Sequence, residues 1–188
     1  MGRDVRIRHI TEADWDAIVA LEAEAYTRDA LSEQRAALES RGRSSPATCF
    51  VLDLEQEPAG YLLALPYPIF QYPDLSRPEE VVFHSRNLHL HDLVIAERCR
   101  GHGFARELLH RLTATARAKR YERISLVSVG GSERFWSANG FNPVREVTLS
   151  ASYGADAVYM SMAVDGDAAP SRRNPSMTRR AEHLRKTK

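Results

Sequence analysis

A chain of 188 residues is long enough to bury one substantial core, whereas two full-sized domains sharing that length would each be marginal. Apolar residues make up 43% and charged residues 27%, ordinary proportions for a folded domain, and no apolar run approaches the roughly 20 residues a membrane-spanning helix needs. The formal charge of +1 hides an asymmetry: Pro170 to Lys188 carries seven Arg or Lys against Glu182 alone, so the remaining body is net acidic and lacks the basic face of a nucleic-acid-binding fold.

These features predict one domain over residues 1–164 and a basic, disordered tail over 165–188, which has almost no apolar side chains to bury. The start, Met1-Gly2-Arg3-Asp4-Val5-Arg6, has neither an apolar signal region nor a small-residue cleavage site, so a cytoplasmic location without a membrane partner is the expectation. Cys49 and Cys99 form neither a disulfide framework nor a zinc pattern, and no metal is expected.

Val5 to Ile10 alternates with period two, as a half-buried strand does, and Thr11-Glu12-Ala13-Asp14 reads as the cap and acidic first turn of a helix. That helix would bury Trp15, Ile18, Val19, Ala25 and Tyr26, with Glu22 at the edge of the stripe; a second helix is predicted from Leu31 to Leu38, and a loop from Ser40 to Ala47. Thr48 to Leu54 and Pro58 to Leu65, separated by Glu55-Gln56-Glu57, predict a β-hairpin. Three prolines then forbid a regular strand between Pro66 and Asp74. The aromatics there, Tyr67, Phe70 and Tyr72, are candidates for lining an acceptor pocket, with covering of the sheet edge as the equal alternative. Further along, a strand from Asn87 to Ile95, a helix from Phe104 to about Arg120, a strand from Ile124 to Val129, a short helix from Ser132 to Asn139, and two strands around Asn142 to Ser150 and Ala157 to Val164 complete the order. The sum is an α/β fold (a mixed α+β sheet) with helices on both faces.

Arg98-Cys99-Arg100-Gly101-His102-Gly103-Phe104-Ala105 is the most informative stretch, lying between an apolar strand and a helix whose Phe104, Leu108, Leu109, Leu112 and Ala116 recur at helical spacing. Unpaired N–H groups and the macrodipole at such a helix start favour an anion, two glycines allow close approach of a pyrophosphate, and Arg98 and Arg100 add permanent positive charge. The stretch lacks the Gly-Lys-Ser/Thr of a Walker loop and the third glycine of a Rossmann fingerprint.

Arg98-x-x-Gly101-x-Gly103-x-Ala105 ahead of Leu108-Leu109, followed by Phe135-Trp136-Ser137-Ala138-Asn139-Gly140-Phe141, resembles the two marker segments of the GNAT superfamily of acetyltransferases. The resemblance is tightest over His89 to Phe141. It implies the GNAT-like acyl-CoA N-acyltransferase fold with a central, mostly antiparallel sheet, and acetyl-CoA as co-substrate. It implies further that backbone amides of Arg100, Gly101, His102, Gly103, Phe104 and Ala105, with Arg98 and Trp136 nearby, hold the coenzyme, and that Leu93, Val94 and Ile95 flank the thioester. A homodimer is the family expectation.

The acceptor amine must lose a proton, and histidine is the side chain whose ordinary pKa suits that task near neutrality. His89 and His91 lie two apart on one strand, hence on one face about 7 Å apart, while Asp92 alternates away toward solvent. His-Leu-His just ahead of the glycine loop is similar to the arylalkylamine (serotonin) N-acetyltransferases, and that resemblance implies a base role for both histidines. Those enzymes carry a tyrosine, the presumed acid, where this chain has Trp136; Ser128, Ser132, Tyr153 or water are the substitutes. The predicted activity is transfer of acetyl to a primary amine of a small molecule, the alternatives being a protein α-amine acetyltransferase and a non-catalytic acyl-CoA-binding sensor.

Overall fold

The computed structural model describes residues 4–26 and 31–164; the basic tail lies outside the described residues. Seven strands form one sheet in the order β1-β2-β3-β4-β5-β7-β6, with β1 at Val5–His9, β2 at Phe50–Leu54, β3 at Glu57–Pro66, β4 at Asn87–Ile95, β5 at Arg123–Ser128, β6 at Asn142–Pro143 and β7 at Val158–Ala163. Every pairing is antiparallel except β4 with β5, so the sheet is the mostly antiparallel, mixed one expected. The helices are α1 at Trp15–Ala25, α2 at Arg35–Ser44, α3 at Phe104–Ala118 and α4 at Glu133–Ala138.

The helices sit on opposite faces. Phe50 and Leu62 are register partners and so share a face, and there Arg111 of α3 lies over the Phe50 ring, 5.4 Å from its centroid. Leu63 points the other way. On that side Gly42 of α2 is pressed so closely on α1 that an added Cβ would lie 2.5 Å from the Trp15 ring, with Leu63 at 3.8 Å. Between the sheet and α3, the predicted apolar stripe Phe104, Leu108, Leu109, Leu112 and Ala116 is buried against the core.

Several local expectations shift. A short 3-10 turn at Glu12–Asp14 precedes α1: the Asp14 carboxylate accepts the Thr11 N–H at 2.7 Å and the Thr11 hydroxyl at 2.8 Å, and pairs with Arg8. Bonding to Arg8 holds the Asp14 carboxyl down at about 2. The second helix starts four residues later than predicted and runs through Ser44, because Arg41 and Gly42, which read as loop, are drawn into the core by tertiary contacts. The strand around Asn142 contracts to two residues.

Two irregularities of β4 interrupt the centre of the sheet. Leu63 pairs with Asp92 and Ala64 with Leu90, so His91 is an extra residue without a partner on β3, a β-bulge. On its other side β4 pairs with β5 only from Asn87 with Arg123 to Leu90 with Leu126; beyond that point the two strands part.

Candidate functional site

A cleft of about 800 Å3 opens where β4 and β5 separate, a size suited to one sizeable ligand. Its floor comprises Leu90 to Ile95 on one side and Leu126, Val127, Val129 and Gly130 on the other.

One end is formed by Cys99, Arg100, Gly101, Gly103, Phe104, Ala105 and Arg106, opposite Ser132, Phe135 and Trp136. Gly103 caps α3 with φ of 87°, and Gly101 has φ of 79°, both in the left-handed region that glycine adopts without steric cost. A Cβ built on either would meet nothing within 4 Å, so this backbone is bare on its open side. Free N–H groups of the first helical turn, the macrodipole and the Arg100 and Arg106 side chains make that end a site for an anion. Trp136 is buried edge-on against Phe135 and Phe141, and its indole N–H donates to Ser132 Oγ at 3.1 Å. The Ser132 hydroxyl in turn donates to the Val129 carbonyl at 2.7 Å.

The other end is bounded by Ala25, Tyr26, Leu31, Glu33, Leu75, His91, Asp92 and Tyr153. The bulge breaks strict alternation, and His91 and Asp92 both line the cleft. Asp92, expected to face solvent, is buried and accepts the hydroxyls of Tyr26, at 2.8 Å, and Tyr61. Burial raises its pKa, against the lowering effect of those donors. Glu22, expected at the edge of its helix, is buried too: its carboxylate accepts Ser32 Oγ at 2.8 Å and the Glu33 N–H at 2.6 Å, fixing the turn before α2. Two carboxylates that amphipathic patterning assigns to the surface are thus internal, because they bond groups distant in sequence that patterning does not see.

Glu33 completes this end. Its Oε1 lies 2.5 Å from His91 Nε2, and its Oε2 lies 2.6 Å from a terminal nitrogen of the fully buried Arg41, as a charge contact without an aligned hydrogen bond. Burial pushes the Glu33 carboxyl up to about 7, with Arg41 opposing. Burial holds the His91 imidazole well below its ordinary value, and the Arg41 charge lowers it further. His91 is therefore neutral, and its Nδ1 is buried without a partner in the protein.

His89 is adjacent to His91, with ring centroids 6.4 Å apart, but does not line the cleft. Ser125 Oγ accepts from the Asn87 amide at 2.8 Å, which frees its own proton for His89 Nδ1 at 3.0 Å, and burial keeps His89 neutral. Arg98 is exposed and outside the cleft, while His102 folds back on the Arg100 carbonyl at 3.0 Å and stacks on Phe104. None of Tyr67, Phe70 and Tyr72 lines the cleft. Tyr67 packs between Phe83 and His89, Phe70 is half exposed with its N–H bonded to the Tyr159 hydroxyl, and Tyr72 accepts the Ser150 N–H at 2.8 Å and packs edge-on against Tyr153. Three prolines carry the chain away from the cleft and bring it back at Leu75.

The family model for the acetyltransferase (GNAT) family matches residues 15–141, which span both ends of this cleft. The chain belongs to that family. Solved structures share its fold at low identity. Ard1 from Thermoplasma volcanium is 16% identical with a TM-score of 0.66, over 85% of this chain and 97% of that one. The GNAT-like decarboxylase GphF, in complex with isobutyryl-CoA, is 22% identical with a TM-score of 0.67, over 85% and 100%. The ribosomal-protein-S18-alanine N-acetyltransferase from Escherichia coli is 13% identical with a TM-score of 0.60, over 91% and 100%. No curated protein sequence matches the chain significantly.

For a GNAT acetyltransferase the glycine-capped end fits the phosphates of a coenzyme A thioester: open backbone amides, no Cβ to obstruct them, and a cleft leading from them to His91. Among the described residues no helix is long and apolar enough to cross a membrane, and no cluster of three or more His, Cys, Asp or Glu side chains is placed to hold a metal ion.

Proposed function

We propose that this GNAT enzyme transfers acetyl from acetyl-CoA to the primary amine of a small molecule by direct attack in a ternary complex, with His91 as the base. The observation that carries the reading is the continuity of one cleft from the bare backbone at Gly101 and Gly103 to His91, whose buried Nδ1 has no partner in the protein. Acetyl-CoA would supply the activated acyl group, held at its phosphates by the amides of residues 100–105. Backbone N–H groups of Leu93 and Ile95, on the side of β4 that has lost β5, would stabilise charge on the carbonyl oxygen, while that of Val94 faces β3. His91 takes the amine proton, and His89, bonded to Ser125, stands beside it with ring centroids 6.4 Å apart. Tyr26, Leu31, Leu75 and Tyr153 give the acceptor end an apolar and aromatic character suited to an amine with an apolar body. The protons of Ser132 and Tyr153 are committed to the carbonyls of Val129 and Pro73, so the thiolate leaves without an acid from either.

A protein α-amine is the second reading, favoured by the fold shared with the S18-alanine N-acetyltransferase. Thiol release measured with the full chain, acetyl-CoA and a panel of small amines and N-terminal peptides separates the two. Release dependent on a small amine upholds the first, release with peptides alone the second, and coenzyme binding with release from neither leaves a non-catalytic acyl-CoA sensor.

A further inference from the structure

Glu33 belongs to no marker segment, yet it meets the proposed base on one side and the fully buried Arg41 on the other. Its side chain is 4% exposed, that of His91 3%, and that of Arg41 0%. The terminal nitrogens of Arg41 also donate to the carbonyls of Ala37 at 3.1 Å, Asp74 at 2.8 Å and Arg77 at 3.3 Å, and Glu79 stands 3.9 Å from its Nε. A guanidinium keeps its charge when buried and requires an anion, and Glu33 is the carboxylate in close contact.

We propose that Glu33, anchored by Arg41, is a positioning residue that holds His91 in its Nε2–H tautomer and so leaves the Nδ1 lone pair to accept the substrate proton. Above about pH 7, where Glu33 is ionised, its carboxylate can only accept, so the hydrogen between Glu33 Oε1 and His91 Nε2, 2.5 Å apart, resides on the imidazole. A neutral imidazole carries one N–H, and Nδ1 is then an acceptor; it has no protein partner and belongs to a residue that lines the cleft. When the ring gains a proton, the adjacent carboxylate stabilises the imidazolium that forms, the same division of labour as in a base and its orienting acid. A Glu33 in its acid form would donate to Nε2 instead, place the hydrogen on Nδ1 and abolish the acceptor. The charged and titratable groups around the pair are Arg41 from α2, Asp74 and Glu79 from the loop before β4, His89 and Asp92 from β4, Glu22 from α1, Tyr26 just past its end, and Tyr153 from the loop before β7. Arg41 also fastens the chain either side of Leu75, so the acceptor wall and the base share one anchor.

The proposal rests on the reading of His91 as base, and its test separates the two. Nitrogen NMR at pH 8 on the full chain labelled at histidine, with His91→Ala assigning the signal, reads the tautomer directly: Nε2–H is expected in the wild type and a mixture in Glu33→Gln. Steady-state rates with an accepted amine should show kcat of Glu33→Gln lower by roughly ten- to hundredfold, with KM for acetyl-CoA within about twofold. An Nδ1–H wild-type ring, or a Glu33→Gln enzyme with unchanged tautomer and kcat, overturns the positioning role. The wild-type spectrum decides the matter even where Glu33→Gln does not fold. A base role that fails appears separately, as His91→Ala retaining full amine-dependent thiol release.

Discussion

The two ends of the cleft are made of different material. The coenzyme end is mainly backbone: two left-handed glycines, the first turn of α3 and the free side of β4. The acceptor end is side chain on side chain, with His91 joined to Glu33 across 58 residues and Tyr26 joined to Asp92 across 66. A backbone cradle tolerates many sequences so long as its glycines remain, whereas a side-chain cluster fails at the loss of one member. The first suits a coenzyme common to a family, the second an acceptor particular to one enzyme.

The largest effect expected is at His91. His91→Ala should lower kcat by roughly 10²- to 10⁴-fold, the usual contribution of a general base, while coenzyme A affinity measured by calorimetry stays within about twofold. Comparable losses in both would mean that the two ends are one unit, and the contrast would break. Gly103→Val attacks the other end: a branched residue at φ of 87° is strained by about 1–2 kcal/mol and crowds the bare amides, so the Kd for coenzyme A should rise about tenfold or more. At saturating coenzyme its kcat should remain near that of the wild type.

Glu33→Gln also has a pH signature. The folded-state pKa, about 7, is raised above the ordinary 4.5, so the stability contributed by protonated Glu33 is fully present below about 4.5 and lost as the pH rises through about 7. Glutamine is neutral like the protonated acid, so thermal unfolding should find Glu33→Gln and the wild type close in stability at pH 4.5, with the wild type losing stability relative to the variant as the pH rises toward 7.5. A wild type that gains on the variant over that range would place the carboxylate in a more polar setting than the fold gives it. Ser132→Ala is the mildest case, removing the acceptor of the Trp136 indole at a cost of about 1 kcal/mol in unfolding free energy and little change in kcat.

The same division explains what could be read from the chain alone. Gly101, Gly103 and the helical stripe behind them are local signals, so strand, turn and helix at the coenzyme end fall where the pattern puts them. His91 was legible as a residue type beside that loop. Glu33 was not, since a carboxylate in the first turn of the helix predicted from Leu31 reads as surface until the fold brings Arg41 beside it. Nor was the bulge at His91, because an unpaired residue is a property of two strands rather than one. The expected aromatic lining, Tyr67, Phe70 and Tyr72, packs elsewhere, and that end takes its aromatic rings from Tyr26, just past α1, and Tyr153, from a later loop.

The early parting of β4 from β5 also bears on how the molecule melts. Past Leu90 the sheet has an interior rim whose peptide groups on that side have no neighbouring strand and border the cleft. A slim, extended ligand seated there would act as a substitute strand and tie β4 to β5. Amide hydrogens of Leu93 and Ile95 should then exchange more slowly with solvent deuterium once the crevice is filled, and both halves of the sheet should unfold as one.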